Sequence, residues 1–156
     1  IRAGDVLEIG PLCISPFSVP HDAQEPVQYV FTDGARRAGL LTDVGECSDT
    51  TIAASSGLHA LIPQCNHDAD LLRSGSYPAF LKQRIAGPHG HLSNEQAAGI
   101  LDRTRSATLE WVAAAHLSRS NNRPQLAQRA LAQVLGCAAG EISVLDQEEG
   151  LPWRDV

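Results

Sequence analysis

The sequence predicts an α/β domain in which helices pack on a mixed β-sheet. Three observations support this fold class. Residues 5–45 contain short runs of alternating apolar and polar residues between turn signals, which is typical of adjacent strands. Helical and strand patterns then alternate, as they do when helices cover a sheet. Hydrophobic residues make up 43% of the 156 residues, and no apolar run reaches the ~20 residues that cross a bilayer. We therefore expect one globular domain without a membrane partner.

The strands of the first part are each bounded by glycine, proline or aspartate. "DGAR" after the third strand is a hairpin turn signal. The alternation and its breaks predict four strands, at residues 5–9, 12–19, 27–31 and 38–45.

The second part alternates helices with strands, and several helix ends carry capping signals. Ser48 or Asp49 is expected to cap a helix through about Ser55, and Ser93 or Asn94 to cap a later one. A proline suits an edge strand or a bulge, so Pro63 is unexpected inside a buried strand. The patterns predict strands at residues 58–66, 108–116 and 141–145, and further helices at 67–75, 77–87, 93–104 and 123–136.

Three of the predicted strands deliver a chemically useful side chain at or just past the end of the apolar run. These residues are His21, Asp43 and His116. Two imidazoles and a carboxylate are suitable ligands for zinc, manganese or iron. Each residue alone has an ordinary alternative role, such as capping a turn or packing at a strand end. Their shared placement favours a metal site at one edge of the sheet. We expect the ring nitrogens that face away from the metal to contact neighbouring polar side chains, with Asp22 and Ser118 as candidates.

A second polar cluster lies between these residues in the sequence. Asn66 and His67 follow another strand, and His89 and His91 lie in a glycine-rich loop that leads into a helix. The start of a helix offers free backbone N–H groups to an anion such as a phosphate. We expect His91 to contact substrate or donate a proton, whereas His89 is more simply explained as incidental.

Charge and cysteine content limit the function classes. The net charge of −6 argues against a surface coated in positive charge for nucleic acid. It leaves room for a local contact face, for which Arg73, Lys82 and Arg84 are candidates. The four cysteines form no C-x-x-C pair, so we expect reduced thiols in a cytoplasmic protein and no zinc ribbon.

The ordered motifs of the chain resemble a known family. "HDA", "TDVG", "NHD", "YPAFLKQRI", "GHLSNEQA" and "AHLSRSNN" together resemble the C-terminal half of a metallo-β-lactamase-fold metallohydrolase, and within that superfamily the WalJ/YycJ exonuclease-like branch. The resemblance extends from about Asp5 to the tail. It implies an αββα sandwich of which residues 1–156 form one partial domain.

The resemblance also implies a site with two divalent metal ions, zinc or manganese. His21 matches one metal ligand, Asp43 the catalytic aspartate that bridges both ions, and His116 the last histidine ligand. His91 matches a catalytic histidine that assists the leaving group, although Gln64 stands where such relatives commonly have a glutamate. The expected substrate contacts are Ser93, Asn94, His67 and Asn66.

The H-x-H-x-D-H signature of the superfamily does not occur in the chain, and we expect it upstream in a longer protein. The predicted function of that protein is phosphodiester hydrolysis of DNA or RNA. Two alternatives stay open at this point. One is hydrolysis of a small ester, thioester or lactone on the same fold. The other is a non-catalytic fragment that lacks half of the metal ligands.

Overall fold

The computed structural model describes residues 1–156 and contains seven strands, five α-helices and one 3₁₀ turn. In chain order these are β1 (Leu7–Ile9), β2 (Leu12–Ser18), β3 (Val27–Thr32), β4 (Arg37–Leu41), α1 (Asp49–Ser55), β5 (Ala60–Pro63), α2 (Ala69–Ser74), α3 (Ala79–Ala86), α4 (Asn94–Thr104), β6 (Trp111–Ala114), α5 (Pro124–Leu135), the 3₁₀ turn (Ala139–Glu141) and β7 (Ser143–Val144).

All seven strands form one mixed sheet in the order of the sequence. β1 to β4 pair antiparallel, with short turns after β1 and β3 and a longer loop, residues 19–26, between β2 and β3. β4 to β7 pair parallel, because helical segments carry the chain back between them. The predicted mixed sheet with helices on it is confirmed. Consequently β2, β4, β5 and β6 all run in the same direction, and their carboxyl ends lie at one edge of the sheet.

The helix ends follow the predicted capping signals. Ser48 caps α1 by accepting a hydrogen bond from the Thr51 N–H. Ser93 caps α4 in a reciprocal capping box with Gln96. Pro63, which is unusual in a buried strand, is the last residue of β5, and β5 lies inside the sheet between β4 and β6. The Pro63 carbonyl still accepts from the Ala115 N–H at 3.0 Å, and a single bridge between Gln64 and Ala115 follows the strand end.

One face of the sheet is covered by α1, α4 and α5, and the core lies between them. The fully buried side chains include Leu41, Leu61, Ile100, Leu101 and Leu131. The strand register places Val30, Gly39, Leu61 and Val112 in one row on this face. A Cβ atom at Gly39 would lie 2.5 Å from Leu58 Cδ1, so glycine permits the close approach of the α1–β5 connection.

The opposite face of the sheet is apolar and has no helix on it. Its register row runs across six strands and contains Leu7, Ile14, Phe31, Ala38, Ala60 and Trp111. Near β1 this face forms an apolar cavity of about 230 Å³. Only the C-terminal tail reaches the other end, where Trp111 Nε1 donates to the Asp155 carbonyl at 2.9 Å. None of the helices combines the length and hydropathy that a membrane crossing requires.

We predict that residues 1–156 self-associate through this apolar face, since exposed contiguous apolar surface favours association. Ile9, whose side chain is 64% exposed there, should carry part of this effect. Ile9→Lys is expected to weaken association in sedimentation velocity. Phe80→Lys is the matched control, because Phe80 is 73% exposed but lies on α3. A monomeric chain at about 100 μM, or equal effects of both variants, would contradict the prediction.

Candidate metal centre

The three strand-end residues singled out in the sequence lie together at one edge of the sheet. His21 follows β2, Asp43 follows β4 and His116 follows β6. His21 Nε2 lies 3.8 Å from Asp43 Oδ1, and His116 Nε2 lies 3.7 Å from the same oxygen. The predicted convergence of these side chains is confirmed by the distances, whereas their role as ligands stays a prediction.

The backbone is strained where two of these side chains leave the sheet. Asp43 has φ 50° and His116 has φ 58°, and no other residue besides glycine has a positive φ. The left-handed conformation costs a side-chain-bearing residue roughly 1–2 kcal/mol. Strain of this kind persists where surrounding contacts over-determine the geometry, and it concentrates at functional sites. Here it turns both side chains toward each other at the strand ends.

His91 occupies the centre of the cluster, in the loop that precedes α4. Its Nδ1 lies 3.6 Å from Asp43 Oδ1, and its ring centroid lies 5.2 Å from that of His21 and 5.4 Å from that of His116. Burial lowers the pKa of His91, and the nearby His116 lowers it further against the opposing effect of Asp43. The structure therefore favours a neutral imidazole among the predicted ligands.

The donor atoms fit a divalent metal ion. Ligands of a tetrahedral ion at about 2.1 Å lie roughly 3.4 Å from one another. The three imidazoles lie 3.6–3.8 Å from Asp43 Oδ1, and donor atoms of His21, Asp43 and His91 all fall within 4.8 Å of one another. This grouping includes His91, so geometry alone does not separate it from the predicted ligands His21 and His116.

Gln64 is the residue whose role the sequence did not reveal. It is fully buried just after β5. Its Oε1 accepts a hydrogen bond from the Asp43 N–H at 2.8 Å and lies 2.9 Å from His116 Nδ1 and 3.1 Å from His91 Nδ1. Its Nε2 donates to the Val44 carbonyl at 2.8 Å. One side chain thus contacts three of the four clustered residues.

The expected supporting partners of the histidines are corrected by the structure. Asp22 and Ser118 were the candidates, but His21 Nδ1 donates to the Gly90 carbonyl at 2.9 Å and His116 Nδ1 faces Gln64. Asp22 instead accepts from Arg84, which lowers the pKa of that exposed carboxyl. Ser118 Oγ accepts from the Asn121 N–H within its own turn.

Backbone contacts lock together the segments that carry His21, Asp43 and His91. The Gly45 N–H donates to the Pro20 carbonyl at 2.7 Å, and the Asp22 N–H donates to the His89 carbonyl at 3.0 Å. A Cβ atom at Gly45 would lie 2.2 Å from the Pro88 carbonyl oxygen. The glycine at this position therefore lets the 87–91 loop approach the turn that contains Asp43.

An open cavity of about 890 Å³ lies beside the cluster on the His116 side. Its lining includes His116, Arg119 and Arg123, together with the acidic segment at residues 146–149. Arg119 pairs with Glu148 at 2.6 Å. The basic residues at the cavity are thus Arg119 and Arg123, whereas the sequence had suggested Arg73, Lys82 and Arg84. Arg73 pairs with Asp70, Arg84 pairs with Asp22, and Lys82 Nζ donates to a backbone carbonyl.

The structure separates the four expected substrate contacts. Asn66 lines the cavity, and its Nδ2 donates to the His116 carbonyl at 3.2 Å. The other three residues are buried. Ser93 caps α4, Asn94 pairs with Asn122 in the interior, and His67 is only 3% exposed. None of these three side chains lines the cavity.

We predict that His67 makes the folded state less stable at acidic pH. Its Nδ1 is buried without a hydrogen-bond partner, and burial lowers its pKa below the usual 6.5. The unfolded chain therefore binds the proton first, so stability is lost as pH falls below about 6.5. His67→Asn should flatten the dependence of unfolding free energy on pH between about 7 and 5. The exposed His89→Asn is the control, and an unchanged slope in His67→Asn would refute the prediction.

Two curated relatives match most of the chain. It is 36% identical over 155 residues to exodeoxyribonuclease YycJ of Bacillus anthracis, covering 97% of this chain and 59% of that protein. It is 37% identical over 135 residues to exodeoxyribonuclease WalJ of Streptococcus pneumoniae, covering 86% of this chain and 50% of that protein. The chain thus spans about half the length of these relatives. No family model matches it.

Solved structures give the fold. The metallo-β-lactamase fold protein YhfI from Bacillus subtilis superposes with a TM-score of 0.70 at 19% identity, covering 97% of this chain and 53% of that one. Zn²⁺-bound PqqB from Methylobacterium extorquens superposes with a TM-score of 0.66 at 20% identity, again covering 97% and 53%. The expected metallo-β-lactamase-type fold and the resemblance to the WalJ/YycJ branch are confirmed.

Proposed function

We propose that this chain supplies part of the active site of a metal-dependent phosphodiesterase that acts on DNA. The chain has the metallo-β-lactamase fold and resembles the YycJ and WalJ exodeoxyribonucleases in sequence. The observation that carries the proposal is the placement of three imidazoles within 3.6–3.8 Å of Asp43 Oδ1 at the carboxyl edge of the sheet. The names of the two relatives support the substrate class.

Each clustered residue has a distinct role in this proposal. Asp43 would be shared by two divalent ions, zinc or manganese, and His21 and His116 would each hold one of them. Bound ions of this kind lower the pKa of coordinated water and stabilise charge on a phosphoryl oxygen. His91, neutral and half-buried, lies at the same edge, where its imidazole can first take up a proton and then pass it to the leaving oxygen.

The cavity beside His116 is the proposed path of the nucleic acid backbone. Arg119 and Arg123 supply positive charge there, and Asn66 supplies an amide next to His116. The acidic segment at residues 146–149 also lines the cavity, and its Glu148 pairs with Arg119. Because the whole chain carries −6, this local arrangement and the metal ions must provide the attraction for phosphate. The four cysteines are unpaired, in keeping with the cytoplasmic location that we include in the proposal.

We also propose that residues 1–156 alone are not a working enzyme. A metal site with tight binding uses about three or four protein ligands per ion, or shared bridges. One histidine for each of two ions and one bridging aspartate fall short of that number. The remaining ligands are expected from the part of a longer protein that pairs with the apolar sheet face.

The test is an assay of the full-length protein that contains this chain. DNA labelled at either end, RNA of the same sequence, a thioester and a lactone are supplied separately with manganese or zinc. We expect mononucleotides to be released from DNA, and EDTA to stop the release. Metal-dependent turnover of only the thioester or lactone would overturn the nuclease proposal and favour the small-molecule alternative. Turnover by residues 1–156 alone would overturn the proposal that the site is incomplete.

In the full-length protein, His91→Ala is expected to lower turnover by about 10²–10⁴-fold, the range typical of a lost acid–base group. Bound metal, measured by inductively coupled plasma mass spectrometry, should change little. His89→Ala is the matched control, since His89 lies two residues away in the same loop and is exposed. Loss of metal from His91→Ala would instead identify His91 as a ligand.

A further inference from the structure

We propose that Gln64 is a positioning residue that holds both His91 and His116 in the tautomer with the proton on Nδ1, so that both rings keep an unprotonated Nε2. The tautomers follow from this chain's own contacts. Their use in metal binding and proton transfer rests on the proposed function.

The orientation of the Gln64 amide is fixed by two backbone groups whose roles cannot change. The Asp43 N–H is a donor, so the amide atom 2.8 Å from it must be the oxygen. The Val44 carbonyl is an acceptor, so the amide atom 2.8 Å from it must be the nitrogen. An inverted amide would oppose donor to donor and acceptor to acceptor in a buried position, at the cost of two hydrogen bonds. The oxygen therefore faces the cluster.

Both imidazoles meet this same oxygen. His116 Nδ1 lies 2.9 Å and His91 Nδ1 lies 3.1 Å from Gln64 Oε1. An amide oxygen only accepts hydrogen bonds, so each Nδ1 must carry a proton. In the neutral rings the lone pair is then on Nε2. For His116 this is the atom 3.7 Å from Asp43 Oδ1, where a metal ligand is needed. For His91, Nδ1 is then a hydrogen-bond donor, and Nε2 is the atom that can bind a metal ion or accept a proton.

The amide suits this position better than a carboxylate does. Val44 is fully buried, and the hydrogen bond from Gln64 Nε2 satisfies its carbonyl. An ionised glutamate has no donor for that carbonyl and would set two oxygens against each other. In sequence, Gln64 suggests the loss of a charged partner for His91. In the structure its oxygen has two lone pairs that three N–H groups share, and its nitrogen donates to one carbonyl.

The test reads the tautomers directly in the full-length protein with the metal removed by a chelator. Long-range ¹H–¹⁵N spectra of ¹⁵N-histidine-labelled protein distinguish a protonated Nδ1 from a protonated Nε2. We expect His91 and His116 to show the Nδ1–H pattern, although Nε2–H predominates for free histidine in water. Gln64→Leu should shift both toward Nε2–H and weaken metal binding by about 10–100-fold, as loss of an outer-shell partner does.

Gln28→Leu is the matched control. Gln28 is also a buried glutamine whose Oε1 accepts from a backbone N–H, that of Thr42, at 2.8 Å, but it has no hydrogen bond to an imidazole. It should leave both tautomers unchanged. An Nε2–H pattern for either histidine in the unsubstituted protein overturns the proposal, even if Gln64→Leu fails to fold. Because the spectra need no turnover, an inactive protein with both Nδ1–H patterns would refute the nuclease proposal and leave this inference standing.

Discussion

Asp43→Asn in the full-length protein is expected to lower hydrolysis by on the order of 10³-fold and to remove most of the bound metal. Asp43 Oδ1 is the one atom to which all three clustered imidazoles converge. An amide oxygen carries no formal charge and bridges two cations poorly, so the two proposed ions would lose their shared ligand. Removal of an outer-shell partner typically costs 10–100-fold in metal affinity or activity, and a direct bridging ligand should cost more.

The substitution is chosen so that the backbone stays in place. Asp43 has φ 50°, and asparagine tolerates the left-handed conformation well, whereas alanine would add strain. The unfolding midpoint should therefore change little while metal content and turnover fall together. Glu46→Gln is the matched control, because Glu46 is an exposed carboxylate three residues further along. If Asp43→Asn keeps its metal and its rate, Asp43 is not the bridging ligand.

The edge of the sheet could be predicted from the sequence because strand direction and strand ends are local properties. An apolar run that stops at His21, Asp43 or His116 indicates where a strand ends, and parallel strands place their carboxyl ends together. Six of the seven strands are shorter than predicted, and β3 is one residue longer. β6, for instance, ends at Ala114, and Ala115 forms only an isolated bridge with Gln64. The alternation of apolar and polar residues continues past the last hydrogen-bonded residue pair of a strand. A prediction from this alternation therefore overestimates strand length.

The contacts that organise the site could not be predicted, since they are long-range and depend on polar atoms. Gln64 lies 27 residues from His91 and 52 from His116, and nothing in its local sequence indicates that one amide serves both rings. The position of Arg119 and Arg123 at the cavity also depends on the fold of the segment after β6. The substrate contacts expected at Ser93, Asn94 and His67 reflected proximity in sequence to the site, whereas the structure buries all three.

Gly90, in the loop that precedes α4, gives the second large expected effect. A Cβ atom at Gly90 would lie 2.2 Å from the carbonyl oxygens of both Arg84 and Ile85. These are backbone atoms at the end of α3, so no rotamer change relieves the clash. Gly90→Ala is expected to destabilise the fold by about 1–3 kcal/mol, the usual cost of overpacking. It should also move the Gly90 carbonyl, which accepts from His21 Nδ1 at 2.9 Å, and the adjacent His91.

Gly90→Ala should therefore lower both the unfolding midpoint and the metal affinity of the full-length protein, measured by thermal denaturation and by zinc titration against a chelator. Gly99→Ala separates this effect from a general cost of replacing glycine. Gly99 lies within α4, and a Cβ there meets no atom within 4 Å. Because alanine favours a helix by up to about 1 kcal/mol over glycine, Gly99→Ala should raise stability and leave metal binding unchanged.

Equal metal affinity in the two variants would show that the 87–91 loop does not hold His21 and His91 in place. Loss of affinity in Gly90→Ala alone would tie the site to the close backbone approach that only glycine permits there.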